Sequence, residues 1–211
     1  TTFDDFRDFL HSGDIQEGDT VYLGNSTITS NWNPYYPPYN LTLIDIPNLI
    51  ISGGTPDNPN SFSTMSASVS FFNITAPGVT LSNIIFTGGN AVSNEDSPIT
   101  VDASGCTFEN CIFDNNKGKT GGAVYTTAQS SGITFNNCNF TNNAGSQGGG
   151  ALYFATGDAT ITNCNFNGNG DSNGDGGAIL SNGAQLTVIS SNFTNNKGKT
   201  GAIYSNGATN L

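Results

Sequence analysis

Apolar and polar residues alternate along this chain in short segments that recur at an almost constant interval. One apolar position holds phenylalanine in five successive segments, at spacings of 27, 27, 26 and 27 residues: Phe86, Phe113, Phe140, Phe166 and Phe193. Short alternating segments at one period, separated by Asn- and Gly-rich turns, are typical of a solenoid. The segments lack the 3.6-residue periodicity of helical repeats. The pattern therefore predicts an all-β fold, a right-handed parallel β-helix with coils of about 27 residues.

Alternation within each segment assigns side chains to the inside or the outside of the predicted coils. Stacked coils place equivalent positions in lanes that run along the solenoid axis. Besides the phenylalanine lane, we expect an inward cysteine lane, which comprises Ile84, Cys111, Cys138, Cys164 and Ser191. We also expect a corner lane whose amides hydrogen-bond along the axis, formed by Asn83, Asn110, Asn137, Asn163 and Ser190.

A second strand in each regular coil follows a small-residue entry such as Gly121-Gly122-Ala123. We favour an inward lane on this strand and an outward lane at the tyrosine-containing position that follows it, although the opposite phase is the alternative. The inward residues would be Val124, Leu152, Ile179 and Ile203. The four cysteines are predicted to be buried free thiols. Three of them, Cys111, Cys138 and Cys164, share one lane, where parallel side chains fit the torsion of a disulfide poorly.

The chain is predicted to form a single β-helix domain over residues 1–211. Thr2 and Asp5 resemble a capping box, and Phe3, Phe6, Phe9 and Leu10 share one face of a helix predicted over residues 2–11. This helix is expected to close the N-terminal end of the solenoid. Irregular coils are expected over 12–85, with a proline-containing loop at 30–40, and regular repeats over 86–211. Because the last repeat breaks off at its middle, we expect a monomeric fragment of a longer protein.

The charge balance narrows the choice of partners. The chain carries 16 acidic and 5 basic residues, a net charge of −11. This balance argues against nucleic acid, which calls for a basic face, and against docking on an anionic membrane. No apolar run approaches the roughly 20 residues of a membrane-spanning helix, so we expect no membrane insertion.

Several blocks of sequence resemble the repeats of known surface proteins. The Gly-Gly-Ala and Phe-Thr-Asn-Asn blocks are similar to those of the chlamydial polymorphic outer membrane proteins. The wider pattern resembles the adhesin-like surface proteins of methanogenic archaea, within the pectate-lyase-like β-helix fold; it includes residues 18–24, 49–54, 74–86 and 115–122. This resemblance implies an exported, extracellular protein at a cell surface, anchored elsewhere in its chain. It implies no particular ligand.

An adhesin domain that binds surface glycans or proteins of other cells, without catalysis, is therefore the leading hypothesis. The first candidate contact is an aromatic loop, since exposed aromatic side chains are good binding anchors: Trp32, Tyr35, Tyr36 and Tyr39. The alternative is a loop folded back over the coils. Five Asn-X-Ser/Thr triplets are candidate glycosylation sites: Asn25, Asn40, Asn73, Asn139 and Asn192.

A carbohydrate-active enzyme, either a lyase or a glycoside hydrolase, is the first alternative function, and a passive spacer is the second. Hydrolysis needs two carboxylates on one wall, and Asp102, Glu109 and Asp114 are the candidates for such a pair. The lysines lie in loops that repeat the same text, which favours repeat duplication over an active site: Lys117, Lys119, Lys197 and Lys199. His11 is interpreted as the end of the cap helix.

One turn differs from the others, at Asp171, Asn173 and Asp175. Its alternating oxygen ligands resemble the start of a calcium loop, but the expected twelfth residue, a glutamate, is replaced by Asn182. An Asx-rich turn is the favoured interpretation. We therefore expect no cofactor, with calcium as the alternative.

Overall fold

The chain folds into a right-handed solenoid of parallel strands, in which each full coil contributes three short strands to three separate sheets. The computed structural model describes residues 2–29, 42–91, 97–171 and 173–211. The predicted fold is confirmed. Each strand pairs in register with the strand one coil away, so that Phe113 lies beside Phe86 on one side and Phe140 on the other.

The three sheets are named I, II and III in the order in which each coil visits them. Sheet I contains the strands Thr20–Tyr22, Ile50–Ser52, Thr80–Ser82, Thr107–Glu109, Ile133–Asn136, Asp158–Thr162, Gln185–Ile189 and Thr209–Asn210. Sheet II contains Thr27–Thr29, Ser63–Ser66, Ile84–Thr87, Ile112–Asp114, Asn139–Thr141, Asn165–Asn167 and Asn192–Thr194. Sheet III contains Thr42–Ile44, Phe72–Ile74, Ile99–Val101, Val124–Thr126, Leu152–Phe154, Ile179–Ser181 and Ile203–Ser205. A short extra pair joins Lys117–Gly118 to Ala144–Gly145.

A helix at Phe3–Leu10 covers the first coil. The capping box is present, because the Asp5 N–H donates to Thr2 Oγ1 (3.1 Å) and the Thr2 N–H donates to Asp5 Oδ2 (2.8 Å). Phe6 and Leu10 are buried against the coil, but the expectation for Phe9 was wrong, since 46% of its surface is exposed. Phe9 falls off the buried stripe because the helix turns by about 100° per residue. Within the part of the chain that the structure describes, no helix has the length and apolarity to cross a membrane.

The interior is built from the predicted phenylalanine and cysteine lanes. The rings of Phe113, Phe140 and Phe166 stack with centroids 4.7 and 4.6 Å apart, almost parallel. The four cysteines are buried free thiols, as expected. The single S–H of Cys138 lies within hydrogen-bonding distance of the carbonyl oxygens of Asn136 (3.2 Å) and Phe108 (3.4 Å). Burial and contacts with backbone carbonyl groups together stabilise these small side chains inside the coils.

The corner lane does not form the amide ladder that the sequence suggested. Its residues adopt left-handed φ angles of 49° to 56°, which Asn tolerates better than most side chains. Asn110 donates to Asn83 Oδ1 (2.5 Å). Asn137, however, donates to Glu109 Oε1 (2.8 Å) and not to the next amide of the lane. Asparagine recurs at this corner because of its backbone conformation.

A continuous amide ladder lies instead at the turn that follows the phenylalanine lane. It consists of Asn116, Asn143, Asn169 and Asn196, of which the first three are buried. Asn143 Oδ1 accepts from the N–H (3.1 Å) and the Nδ2 (3.0 Å) of Asn116, and Asn143 Nδ2 donates to Phe113 O (2.9 Å). Asn143 in turn donates from both nitrogens to Asn169 Oδ1, each at 3.0 Å. The ladder satisfies buried backbone groups that the turn takes out of the sheets.

Candidate binding face on sheet III

The outer face of sheet III carries a row of aromatic side chains. Its strands are three residues long, so only the central residue of each points outward. The phase favoured from the sequence is confirmed, because Val124, Leu152 and Ile179 are at most 1% exposed. Strand register places four outward residues in line along the axis, and we name them the tyrosine lane: Tyr125, Tyr153, Leu180 and Tyr204.

The rings of the tyrosine lane are half-buried and held by the sheet beneath them. The centroids of Tyr125 and Tyr153 are 5.6 Å apart with an interplanar angle of 63°, an edge-on contact. Leu180 is only 7% exposed and forms a low step between Tyr153 and Tyr204. The lane therefore presents rigid aromatic surface in three of four successive coils along the axis.

One side of the tyrosine lane is bordered by glycine backbone, which we name the glycine wall: Gly121, Gly148 and Gly149. A Cβ atom added to Gly121 or Gly149 would lie 3.3 or 3.1 Å from Tyr153 Cβ, and one added to Gly148 would lie 2.5 Å from Leu180 Cδ1. All three glycines also have positive φ angles, of 75°, 60° and 129°. The loop backbone thus approaches the lane closely and adds no side chain at these positions.

The other side of the lane is polar. The residues two positions after the lane continue the parallel hydrogen bonding between coils and form a flanking lane: Asp102, Thr127, Ala155, Asn182 and Asn206. Asp102 accepts from the hydroxyl of Thr127, and Asn206 Nδ2 donates to Asn182 Oδ1 (2.7 Å). The small Ala155, beside Tyr153, separates these two polar pairs. Together the wall, the tyrosine lane and the flanking lane form a narrow track parallel to the axis.

The aromatic loop proposed from the sequence, Trp32, Tyr35, Tyr36 and Tyr39, lies outside the described residues, as does the triplet at Asn40. Of the other triplets, Asn25, Asn139 and Asn192 are exposed. Asn73 is half-buried on the outer face of sheet III, and its Oδ1 finds no hydrogen-bond partner among the residues that the structure describes. The glycosylation of these residues stays a prediction.

The candidate carboxylates are distributed around the solenoid. Asp102 follows a strand of sheet III, Glu109 ends a strand of sheet I, and Asp114 ends a strand of sheet II. His11 lies at the end of the cap helix, with Nδ1 2.9 Å from Arg7 O and Nε2 3.5 Å from Asp45 Oδ1. The four lysines are exposed in the repeated loops.

The turn considered for calcium contains an Asx turn. Asp171 Oδ1 accepts from the N–H of Asn173 (2.7 Å) and from the N–H of Gly174 (3.2 Å). Across residues 2–29, 42–91, 97–171 and 173–211, no cluster of three or more His, Cys, Asp or Glu side chains could hold a metal ion. The Asp171 carboxylate is thus engaged by its own turn.

The sequence had placed the tyrosine-containing lane outside but had not marked it as a site. The available signal was the recurrence of tyrosine after Gly-Gly-Ala-Val124 and Gly-Gly-Ala-Leu152, and after Gly-Ala-Ile203. The glycine wall gave no comparable signal, since each glycine also has a local explanation in turn conformation.

Comparison with known proteins supports the fold. The family model of the right-handed β-helix region matches residues 14–211, which is most of the chain. No curated protein and no solved structure matches the chain significantly. By the match and by its coiled architecture, the chain belongs to the right-handed β-helix family.

Proposed function

We propose that this β-helix is a non-catalytic adhesin domain at a cell surface, which attaches to a glycan or protein of another cell through the tyrosine lane. One observation carries the proposal: three tyrosines and a leucine stand in line on a rigid outer face, between a glycine wall and a polar lane. The family resemblance seen in the sequence supports the extracellular location.

The physical case rests on pre-organisation. Tyrosine offers a large contact area with few rotatable bonds, and the parallel strands already hold these rings in place. Binding to such a surface orders few side chains, so little of the contact energy is offset by lost entropy. The flanking lane supplies donors and acceptors next to the apolar rings, as recognition sites commonly require.

The placement of the carboxylates supports binding without catalysis. A glycosidase pair must face one bond from the same wall, whereas Asp102, Glu109 and Asp114 come from three different sheets. Two of them are also engaged, since Asp102 accepts from Thr127 and Glu109 accepts from Asn137. The proposal accordingly includes no cofactor, no metal and no nucleic acid partner.

The test is binding of the purified domain to glycan arrays and to whole cells. We expect the double variant Tyr153→Ala/Tyr204→Ala to lose at least about tenfold in affinity, since each aromatic contact contributes about 1 kcal/mol. The matched control is Thr134→Ala/Thr187→Ala, which removes two half-buried side chains from the outer face of sheet I in the same two coils as Tyr153 and Tyr204. Equal binding by both variants would refute the tyrosine lane as the site.

Further variants and assays distinguish the tyrosine lane from the alternative site and the adhesin from the alternative functions. Trp32→Ala/Tyr36→Ala tests the aromatic loop, and a loss confined to this variant would move the site there. Release of reducing ends or unsaturated products from polysaccharides, abolished by Asp102→Asn, would establish an enzyme. The absence of any ligand at all concentrations would favour a passive spacer.

A further inference from the structure

We infer that the ligand of the tyrosine lane is an uncharged linear polysaccharide whose chain lies parallel to the solenoid axis across several coils. The inference rests on the proposed function and narrows it, because that function leaves both glycans and proteins as partners. It is carried by the shape of the track, by the area it offers and by the charges beside it.

The shape of the track is long and one residue wide. Coils stack at about 4.8 Å, so the three steps from Tyr125 to Tyr204 span about 14 Å. Across the track, each strand of sheet III offers a single outward side chain between the glycine wall and the flanking lane. A narrow chain that runs along the axis meets every ring in turn, whereas a chain that crosses the axis meets only one.

The available area favours a glycan over a protein. A stable protein interface buries roughly 800 Å² on each partner. A whole tyrosine side chain supplies about 200 Å², and Tyr125, Tyr153 and Tyr204 are already half-buried. Even together, the three rings offer well under half of what a protein partner needs, but their area suits a few sugar rings stacked end to end.

The polar groups of the flanking lane match hydroxyl groups. Asp102 brings acceptor oxygens, and Asn182 and Asn206 bring both donors and acceptors. Sugar hydroxyls also both donate and accept, so they fit such a mixed lane. The pairs Asp102–Thr127 and Asn182–Asn206 lie on either side of Ala155, so that polar groups are separated along the axis by one small apolar side chain.

The charges beside the track argue against acidic polysaccharides. The flanking lane holds one carboxylate, that of Asp102, and its other four members are uncharged. On the loop side, one coil carries Lys117 and Lys119, a later coil Asp171 and Asp175, and the next Lys197 and Lys199, so that opposite charges alternate along the axis. Strong recognition of carboxylate or sulfate groups uses arginine or lysine clusters. The net charge of −11 adds long-range repulsion of polyanions.

The experiment compares two length series on the intact domain by calorimetry: neutral β-linked gluco- and manno-oligosaccharides, and galacturonate oligosaccharides of the same lengths. We expect affinity for at least one neutral series to rise with length until the chain spans Tyr125 to Tyr204 and then to level off. The neutral series should bind at least about tenfold more tightly than the uronate series at equal length.

The single variants Tyr125→Ala, Tyr153→Ala and Tyr204→Ala map the direction of the chain. For the longest neutral oligosaccharide, each should lower affinity about five- to tenfold, because each ring contributes about 1 kcal/mol. For the shortest one, at most two variants should have an effect. Thr107→Ala, Thr134→Ala and Thr187→Ala, on the outer face of sheet I, are the matched controls and should leave affinity unchanged.

The outcomes separate this inference from the proposed function. Tighter binding of uronates, affinity that does not depend on length, or lane-dependent binding of a protein only would overturn the inference while the adhesin proposal stands. Binding to cells and glycans that none of the lane variants weakens would overturn both.

Discussion

The inside and the outside of the regular coils follow different rules. Inside, an apolar residue returns in coil after coil, and on sheet II even the residue type is kept, as with Phe113, Phe140 and Phe166. Outside, on sheet III, the lane changes from Thr100 to tyrosine, then to Leu180 and back to tyrosine. An inner side chain must fit the coils above and below it, whereas an outer one meets solvent. The interior therefore carries stability, and the outer lane is available for specificity.

The largest effect is expected for a core residue. Phe140→Ala removes a fully buried ring stacked between Phe113 and Phe166, and we expect a loss of about 3–5 kcal/mol in the free energy of unfolding. Phe193→Ala is the control, since that ring is only partly buried and should cost clearly less. Denaturant unfolding measures both. Equal losses would contradict the view that stacking on both sides sets the stability of a coil.

The amide ladder should come next. Asn143→Ala leaves the N–H and Nδ2 of Asn116 and the carbonyl of Phe113 without their partner, at a cost of about 3 kcal/mol in unfolding free energy. Asn137→Ala, at the exposed corner with φ of 53°, should cost only about 1 kcal/mol through its backbone conformation. If Asn137→Ala costs as much as Asn143→Ala, the ladder is not the stabilising element described above.

The buried thiols predict a dependence of stability on pH. Burial raises the pKa of Cys106 and of Cys138, and the hydrogen bond with Cys138 joins burial in raising the pKa of Cys164. Above about pH 8.5 the unfolded chain releases these protons while the folded chain keeps them, so stability falls as pH rises, by up to about 1.4 kcal/mol per pH unit for each thiol.

Cys138→Ala provides the matched test of the thiol effect. Denaturant midpoints between about pH 8 and pH 10 should fall less steeply for this variant than for the parent chain. A slope that the substitution leaves unchanged would show that other groups cause the loss at high pH.

The sequence predicted the lanes, but it could not predict which asparagines are buried in the amide ladder and which adopt left-handed turn conformations. Alternation and the period of about 27 residues were enough to predict that Phe140 and Cys138 point inward, because inward residues must be apolar in every coil. Asn115 and Asn116 are identical neighbours, yet Asn115 takes a φ of 54° and Asn116 is buried in the ladder. Which amide turns inward depends on the path of the turn and on the coil above, and neither is encoded in a local pattern.

For a similar reason, the sequence predicted only part of the binding track. The outward position of Tyr125 and Tyr153 followed from alternation. The close approach of Gly148 to Leu180 depends on a loop that folds back over the next coil, and a short sequence window does not report that contact. The capping helix shows the same limit, since its existence was predicted but the exposure of Phe9 was not.

The most direct test of the division between inside and outside measures two properties of Tyr153→Ala together: its affinity for the longest neutral oligosaccharide that the domain binds and its free energy of unfolding. The half-buried ring lies on the outer face, so we expect affinity to fall about five- to tenfold while stability changes by no more than about 1 kcal/mol. Unchanged affinity together with a loss of stability like that of Phe140→Ala would contradict the account, because Tyr153 would then belong to the core.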